Sequence, residues 1–240
     1  MGTDKKNQPI TFHYSFTFED KTQATFEIRL DSQTLDMIPF SPAPLPEWTR
    51  LEYAACDHCP LKGEERCPVA VNLAEAVEVF KNIASVRRVT TEVRTLERRI
   101  AKEGSAQDGL SSLFGLCIAA SRCPIMEKLK PMARFHLPFA NVDETVYRVV
   151  SMYLTAQYFR MKKGLKADWD LQELKTLYED IQKVNLGLSK RLLKAAEKDA
   201  TLNALIRLDA LAVYIHSPLF QKIKGLENLF ASYLENGTSP

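Results

Sequence analysis

The sequence predicts an α+β protein: a small antiparallel sheet, made of an N-terminal hairpin and one further strand, packed on a mostly helical domain with a C-terminal helical bundle. Three observations predict it. Apolar and polar residues alternate over 10–30, as a strand with one buried face requires. Apolar residues then recur at three- and four-residue spacings through most of 68–234, as helices require. Strand-like alternation returns only once, near residue 90.

In 10–19, Ile10, Phe12, Tyr14, Phe16 and Phe18 share one face, and Thr11, His13, Ser15, Thr17 and Glu19 the other. After Asp20-Lys21 the alternation resumes with Ala24, Phe26, Ile28 and Leu30, so the two segments pair as an antiparallel hairpin. A lone hairpin is only marginally stable. Val89, Thr91, Val93 and Thr95 supply the expected third strand. Between them, Pro39, Pro42, Pro44 and Pro46 favour extended backbone and withhold amide donors, marking a linker or a wrap-around arm.

The helices follow in order. Residues 68–82 place Val69, Leu73, Val77 and Phe80 on one face, while 108–121 is apolar nearly all round and is expected to be buried. A short helix is expected over 124–135. Asn141, with Glu144 three residues on, makes a capping-box start for a helix reaching about 163. Tyr147, Tyr153, Tyr158 and Phe159 spread round that helix and predict a central position. The long helix over 168–199 carries Leu171, Leu174, Tyr178, Ile181, Asn185, Leu188, Leu192 and Ala195 at 3-4-3-4 spacing. Such a seam serves either an antiparallel helix hairpin within the chain or self-association through 171–195. Helices over 201–215 and 218–234 follow, the second with Ser217 as N-cap and Pro218 at N1. The divisions read as a hairpin (1–38), a Pro-rich linker (39–55), a Cys-rich α+β core (56–165) and a C-terminal helical region (166–236), or all as one domain.

Composition narrows the function classes. With 240 residues, 45% hydrophobic, the chain buries enough surface to fold without disulfides. A net charge of +2, with basic clusters interleaved with acids, argues against nucleic acid as a partner. The longest uncharged apolar run, 109–121, falls short of the ~20 residues that span a bilayer, so no membrane helix is expected. The opening residues lack the apolar stretch of a signal peptide, and the expectation is a cytoplasmic protein. No two glycines stand within four positions, which excludes a dinucleotide-binding GxGxxG, and the P-loop GxxxxGK[ST], GxSxG and HExxH are absent. The reading leans away from an enzyme.

The chemistry-bearing pattern is in the cysteines. Cys56, Cys59 and Cys67 stand at C-x2-C-x7-C, and Cys123 follows at a distance. Reduced thiols at this spacing favour a metal site over a disulfide framework. A CxxC turn presents two thiolates to one tetrahedral ion, Cys67 supplies a third, and Cys123 closes the set through the fold. Pro68 and Pro124 stand at helix-start positions, which puts Cys67 and Cys123 at N-caps, where the helix end is expected to lower a thiol pKa. Zinc is the first candidate and an iron-sulfur cluster the second, although neither ferredoxin spacing is matched. The alternative is four core cysteines without metal. His58 reads as an exposed turn residue and Cys117 as a buried core residue. A catalytic pairing of Cys123 with His136 is a further, weaker possibility.

A second cluster lies in PMARFHLPFANVDETVYR. Here Asp143 and Glu144 cap a helix, Arg148 is placed to pair with Glu144 at i,i+4, and His136 sits on a rigid corner before Leu137-Pro138, bonding a backbone carbonyl. The functional alternative makes Arg134, His136, Glu144 and Arg148 a polar pocket beside the cysteine site. His13 and His216 read as surface and helix-junction residues.

Together CDHCPL, SLFGLCIAASRCP and PMARFHLPFA with ETVYR resemble an uncharacterised bacterial family, a domain of unknown function. The resemblance covers about residues 10–160 and implies no activity, ligand or mechanism. The expected function is therefore a non-catalytic metal-binding protein with a binding or regulatory role toward a protein partner. The alternative is an iron-sulfur redox protein or a metal-dependent enzyme with its pocket near His136.

Overall fold

Strand β1 (Ile10–Phe18) pairs antiparallel with β2 (Gln23–Leu30), Phe12 opposite Ile28 and Tyr14 opposite Phe26. On its other side β1 pairs with β3 (Arg88–Arg94), Phe16 opposite Thr91 and Tyr14 opposite Val93. These are the hairpin and third strand that the alternation predicts, with Thr95 just outside. A fourth strand, β4 (Arg99–Ser105), completes the order β2-β1-β3-β4. It reads RIAKEGS and is largely exposed, so it has no apolar alternation to announce it. Its charged side chains suit an edge that must not recruit another strand. The computed structural model describes residues 8–39, 44–195, 197–216 and 219–234.

The sheet buries Phe12, Tyr14, Phe16, Phe18, Phe26, Ile28, Leu30, Val89 and Val93 on one face. Helices α1 (Pro68–Phe80) and α2 (Ala106–Ala119) supply the cover. The Phe80 ring stands edge-on to Phe16 at 4.9 Å. At Gly109 a Cβ would lie 2.2 Å from Thr91 Oγ1 and 2.7 Å from Phe16 Cε1, so α2 rests on the sheet only because that residue has no side chain.

Beyond α2 the segment expected as one helix is divided into a 3-10 turn (Met126–Leu129) and α3 (Lys130–Arg134). Pro131 has no N–H with which to continue a preceding helix and sits instead in the first turn of α3. Helix α4 (Val142–Lys162) starts on the predicted capping box: Glu144 N–H donates to Asn141 Oδ1 at 2.9 Å, and Asn141 N–H to Glu144 Oε2 at 2.7 Å. Its expected central position is not observed. Only Val146, Val149, Tyr153 and Gln157 are buried, while Tyr147, Tyr158 and Phe159 are about half exposed. Aromatics spread round a helix cannot all reach its single packed face.

Helices α5 (Gln172–Ala195) and α6 (Ala200–His216) pack together as a hairpin, and α6 packs in turn on α2. The seam residues Leu171, Leu174, Tyr178, Ile181, Asn185, Leu188 and Leu192 are buried within the chain, so this face is already occupied and is not free for a second copy. Asn185 Nδ2 donates to Asp209 Oδ1 at 3.2 Å, fixing register inside the hairpin. The last expected helix is broken into α7 (Leu219–Gly225), a 3-10 turn (Glu227–Phe230) and α8 (Ala231–Leu234). Ser217, Pro218, Pro42 and the His216 side chain lie outside the described residues. The sheet, α1, α2, α5 and α6 share one apolar core. Among the described residues no helix is long and apolar enough to cross a membrane.

Candidate four-thiol site and the pocket at His136

Backbone hydrogen bonds pin the loop that carries the first cysteines. Arg50 and Arg66 form an antiparallel bridge. Leu51 N–H donates to the Glu65 carbonyl at 2.9 Å, and Cys67 N–H to the Thr49 carbonyl at 2.8 Å. Within the loop, Cys59 N–H donates to the Cys56 carbonyl at 3.0 Å, closing a tight turn over the CxxC pair. Cys67 is the N-cap of α1 with Pro68 at N1, as the spacing predicts. Cys123 arrives from the turn after α2. The chain there does not start a helix at Pro124 but turns into the 3-10 segment, which brings the Ile125 and Met126 amides toward the Cys123 sulfur and favours its thiolate.

The four sequence-predicted thiols share one neighbourhood. Burial first, and then the sulfurs of Cys67, Cys59 and Cys123, push the Cys56 thiol up to about 12, against the opposing pull of the Arg191 guanidinium. Cys123 is raised as well, chiefly by burial and further by Cys67 and Cys59. This corrects the expectation of a depressed pKa at Cys123: the turn amides do favour its thiolate, but desolvation outweighs them. All five cysteines are free, with Cys67 and Cys123 buried and Cys56 and Cys59 half-buried. Among the described residues no group of three or more His, Cys, Asp or Glu side chains is arranged as a ready ligand set. Cys117 is a core residue of α2, pushed up to about 12 mainly by burial.

Two partners of this site come from α5. Arg191 is almost fully buried at 1% exposure, and its described acceptors are all backbone carbonyls. Nη1 donates to Trp48 at 2.6 Å and to Arg50, and Nη2 to Leu51 at 2.8 Å. Sequence reasoning gave Arg191 no role, since an arginine beside Lys190 on a helix reads as a solvated charge. The signal present was its place three residues after Leu188, on the buried stripe. His58 is half-buried rather than an exposed turn residue; Nε2 faces Asp180 Oδ1 at 3.6 Å, and both ring nitrogens lack a hydrogen-bond partner. Gly187 lets α5 approach, because a Cβ there would stand 2.9 Å from Cys56 Sγ.

The second predicted cluster is divided by the fold. His136 and Arg148 line a pocket of about 610 Å³ between α2, the α3–α4 connection and α6. Arg134 is exposed and lies over the Phe135 ring at 5.3 Å, and Glu144 is engaged in capping α4. Arg148 does not form the expected ion pair with Glu144; its Nη2 donates to the Phe135 carbonyl at 2.8 Å and to that of Met132 at 3.2 Å. His136 bonds a side chain rather than a backbone carbonyl, with Nε2 2.6 Å from the Tyr14 hydroxyl, which is 3.0 Å from Ser112 Oγ. Burial, then the Arg148 charge, lowers His136 to about 3, so its ring is neutral at physiological pH. Tyr14 is raised above the ordinary tyrosine value by burial and stays a neutral phenol. None of Cys56, Cys59, Cys67 and Cys123 lines this pocket, so it is not an annex of the thiol site.

Fold and site together define an α+β protein with four neighbouring thiols in one place and a pocket at His136 in another. The chain belongs to the family described as a domain of unknown function (DUF6901), whose sequence model matches residues 12–231. The family thus extends through α5 and α6, past the stretch of about 10–160 in which the recognisable motifs fall. No curated protein and no solved structure matches the chain.

Proposed function

We propose that this chain is a metal-binding protein with a binding or regulatory role, its centre ligated by Cys56, Cys59, Cys67 and Cys123. The observation that carries the reading is the convergence of four free thiols from three separate parts of the fold onto one neighbourhood. Burial first, and then the neighbouring sulfurs, raise Cys56 and Cys123, so their thiolates are unfavourable until a cation compensates them. Rotation about Cα–Cβ bonds is the adjustment that would bring the sulfurs onto one ion. Zinc is the first choice, because four thiolates complete its tetrahedral shell and leave no open position for catalysis. Such a centre carries excess negative charge, and Arg191, buried on carbonyls alone, supplies a fixed positive charge beside it. An iron-sulfur cluster is the second reading, favoured by the Ile125 and Met126 amides that face the Cys123 sulfur, since amides so placed also tune clusters.

The test is elemental analysis with an ultraviolet-visible spectrum on protein purified without oxygen, for the natural sequence and for Cys67→Ser and Cys123→Ser. The expected result is one zinc per chain, no visible band, and loss of the metal in each variant. Iron with acid-labile sulfide and a visible band selects the cluster. Metal-free protein that does not take up zinc, with both variants melting like the natural sequence, overturns the proposal.

A further inference from the structure

The pocket at His136 has a charge and polarity that the thiol site does not explain. Three cations line it, Lys102, Arg148 and Arg207, against one carboxylate, Asp108. That carboxylate is engaged: Oδ1 pairs with Arg207 at 2.8 Å and Oδ2 accepts from the Ser105 hydroxyl at 2.6 Å. Arg148 is left with carbonyl acceptors on one nitrogen only. A guanidinium offers a planar fork of donors suited to a carboxylate. Beside it stands Tyr178 of α5, buried and kept neutral, its pKa raised by burial. The remainder of the wall is mainly apolar, including Met132, Leu137, Phe139, Leu208 and Leu211. Ser112 and His136 also line it, joined from behind through the buried Tyr14 hydroxyl, and this chain is uncharged because His136 is neutral. A concave, mostly apolar volume of this size with a few convergent polar groups is what small-molecule sites look like.

We infer that this pocket binds a small monocarboxylate with an apolar body, the carboxylate on Arg148 and the apolar body against the Leu137, Leu208 and Leu211 wall. The inference does not rest on the metal reading. A strongly hydrated dianion such as inorganic phosphate would have to give up its water beside the apolar Leu137, Phe139, Leu208 and Leu211 part of the wall, which cannot replace it. A neutral amphiphile would leave the Arg148 charge without a counter-ion. A monocarboxylate satisfies both the wall and the cation.

Calorimetric titration of the full chain with octanoate, octanol and inorganic phosphate tests this. Octanoate is expected to bind at least tenfold more tightly than octanol, and phosphate not measurably. Arg148→Met is expected to remove that preference, bringing octanoate down to the octanol level, while Arg148→Lys retains most of it. Gly115→Leu guards against a folding artefact: a Cβ at Gly115 meets only Leu208 Cδ2 at 3.6 Å, so a side chain fits on α2 and fills the pocket. That variant is expected to keep the natural melting temperature and to lose both octanoate and octanol. Octanoate binding no tighter than octanol, tighter phosphate binding, or unchanged octanoate binding in Gly115→Leu would each overturn the inference.

Discussion

Arg191 shows how much one side chain organises. Its three carbonyl acceptors, on Trp48, Arg50 and Leu51, belong to the segment that leads into the cysteine loop. Arg191→Met takes the guanidinium donors away from the Trp48 and Leu51 carbonyls, while the Arg50 carbonyl keeps the Tyr53 amide, and the expected cost is about 2 kcal/mol or more in denaturant unfolding. His136 gives a pH signature of defined sign. The unfolded imidazole protonates near 6.5 and the folded one near 3, so between these values the unfolded state holds the extra proton and stability falls as pH falls. Melting temperature is expected to decline from pH 6.5 toward 4.5, a decline that His136→Gln reduces, with no effect of this group above pH 6.5. Lowered aspartates such as Asp36 and Asp199 add their own acid loss only below their ordinary range. The cysteines stood out by their spacing, and Cys56, Cys59, Cys67 and Cys123 do lie in one neighbourhood. Arg191, Tyr14 and Ser112 were not, because their significance lies in contacts across 98 or more residues, which no local pattern records.

Elements were legible in proportion to how one-sided they are. The aromatic hairpin and the Asn141 capping box leave local marks, and both stand where the sequence puts them. Asn141→Ala is expected to cost about 1 kcal/mol, read by thermal or urea unfolding, because the Glu144 amide loses its acceptor. Strand β4 left no mark because it is an edge whose partner, β3, provides its order. The break at Pro131 and the peripheral setting of α4 were missed because periodicity reports a stripe, not what lies against it. Helix α5 meets the cysteine loop at Gly187, and there Gly187→Ala puts a methyl group 2.9 Å from Cys56 Sγ. The Cys56 sulfur must turn away, so if the thiols hold zinc as proposed, this variant is expected to weaken zinc retention against a chelator while leaving far-ultraviolet dichroism unchanged.

At the scale of the whole molecule, fold class was legible because it depends on the sum of such patterns: one alternating region and a long helical remainder. The relation between the two candidate sites was not, since it depends on how α2 is shared. One end of α2 leads to Cys123, and its middle, through Ser111, Ser112 and Gly115, lines the pocket. If the thiols hold a metal, its removal is a global event, because the liganded loop, α1 and the turn after α2 all join the same core. Chelation under denaturing conditions is expected to lower the midpoint of a single unfolding transition rather than to create a second one, as monitored by tryptophan fluorescence.

The buried arginine of α5 also sets an order of events. The carbonyls it binds lie about 140 positions earlier in the chain, so during synthesis Cys56, Cys59, Cys67 and Cys123 all leave the ribosome before the residue that fixes their loop. For that interval the thiols are present but their loop is not yet clamped. Maturation of the site is thereby tied to completion of the helical hairpin, and a truncated product would carry the cysteines without their brace.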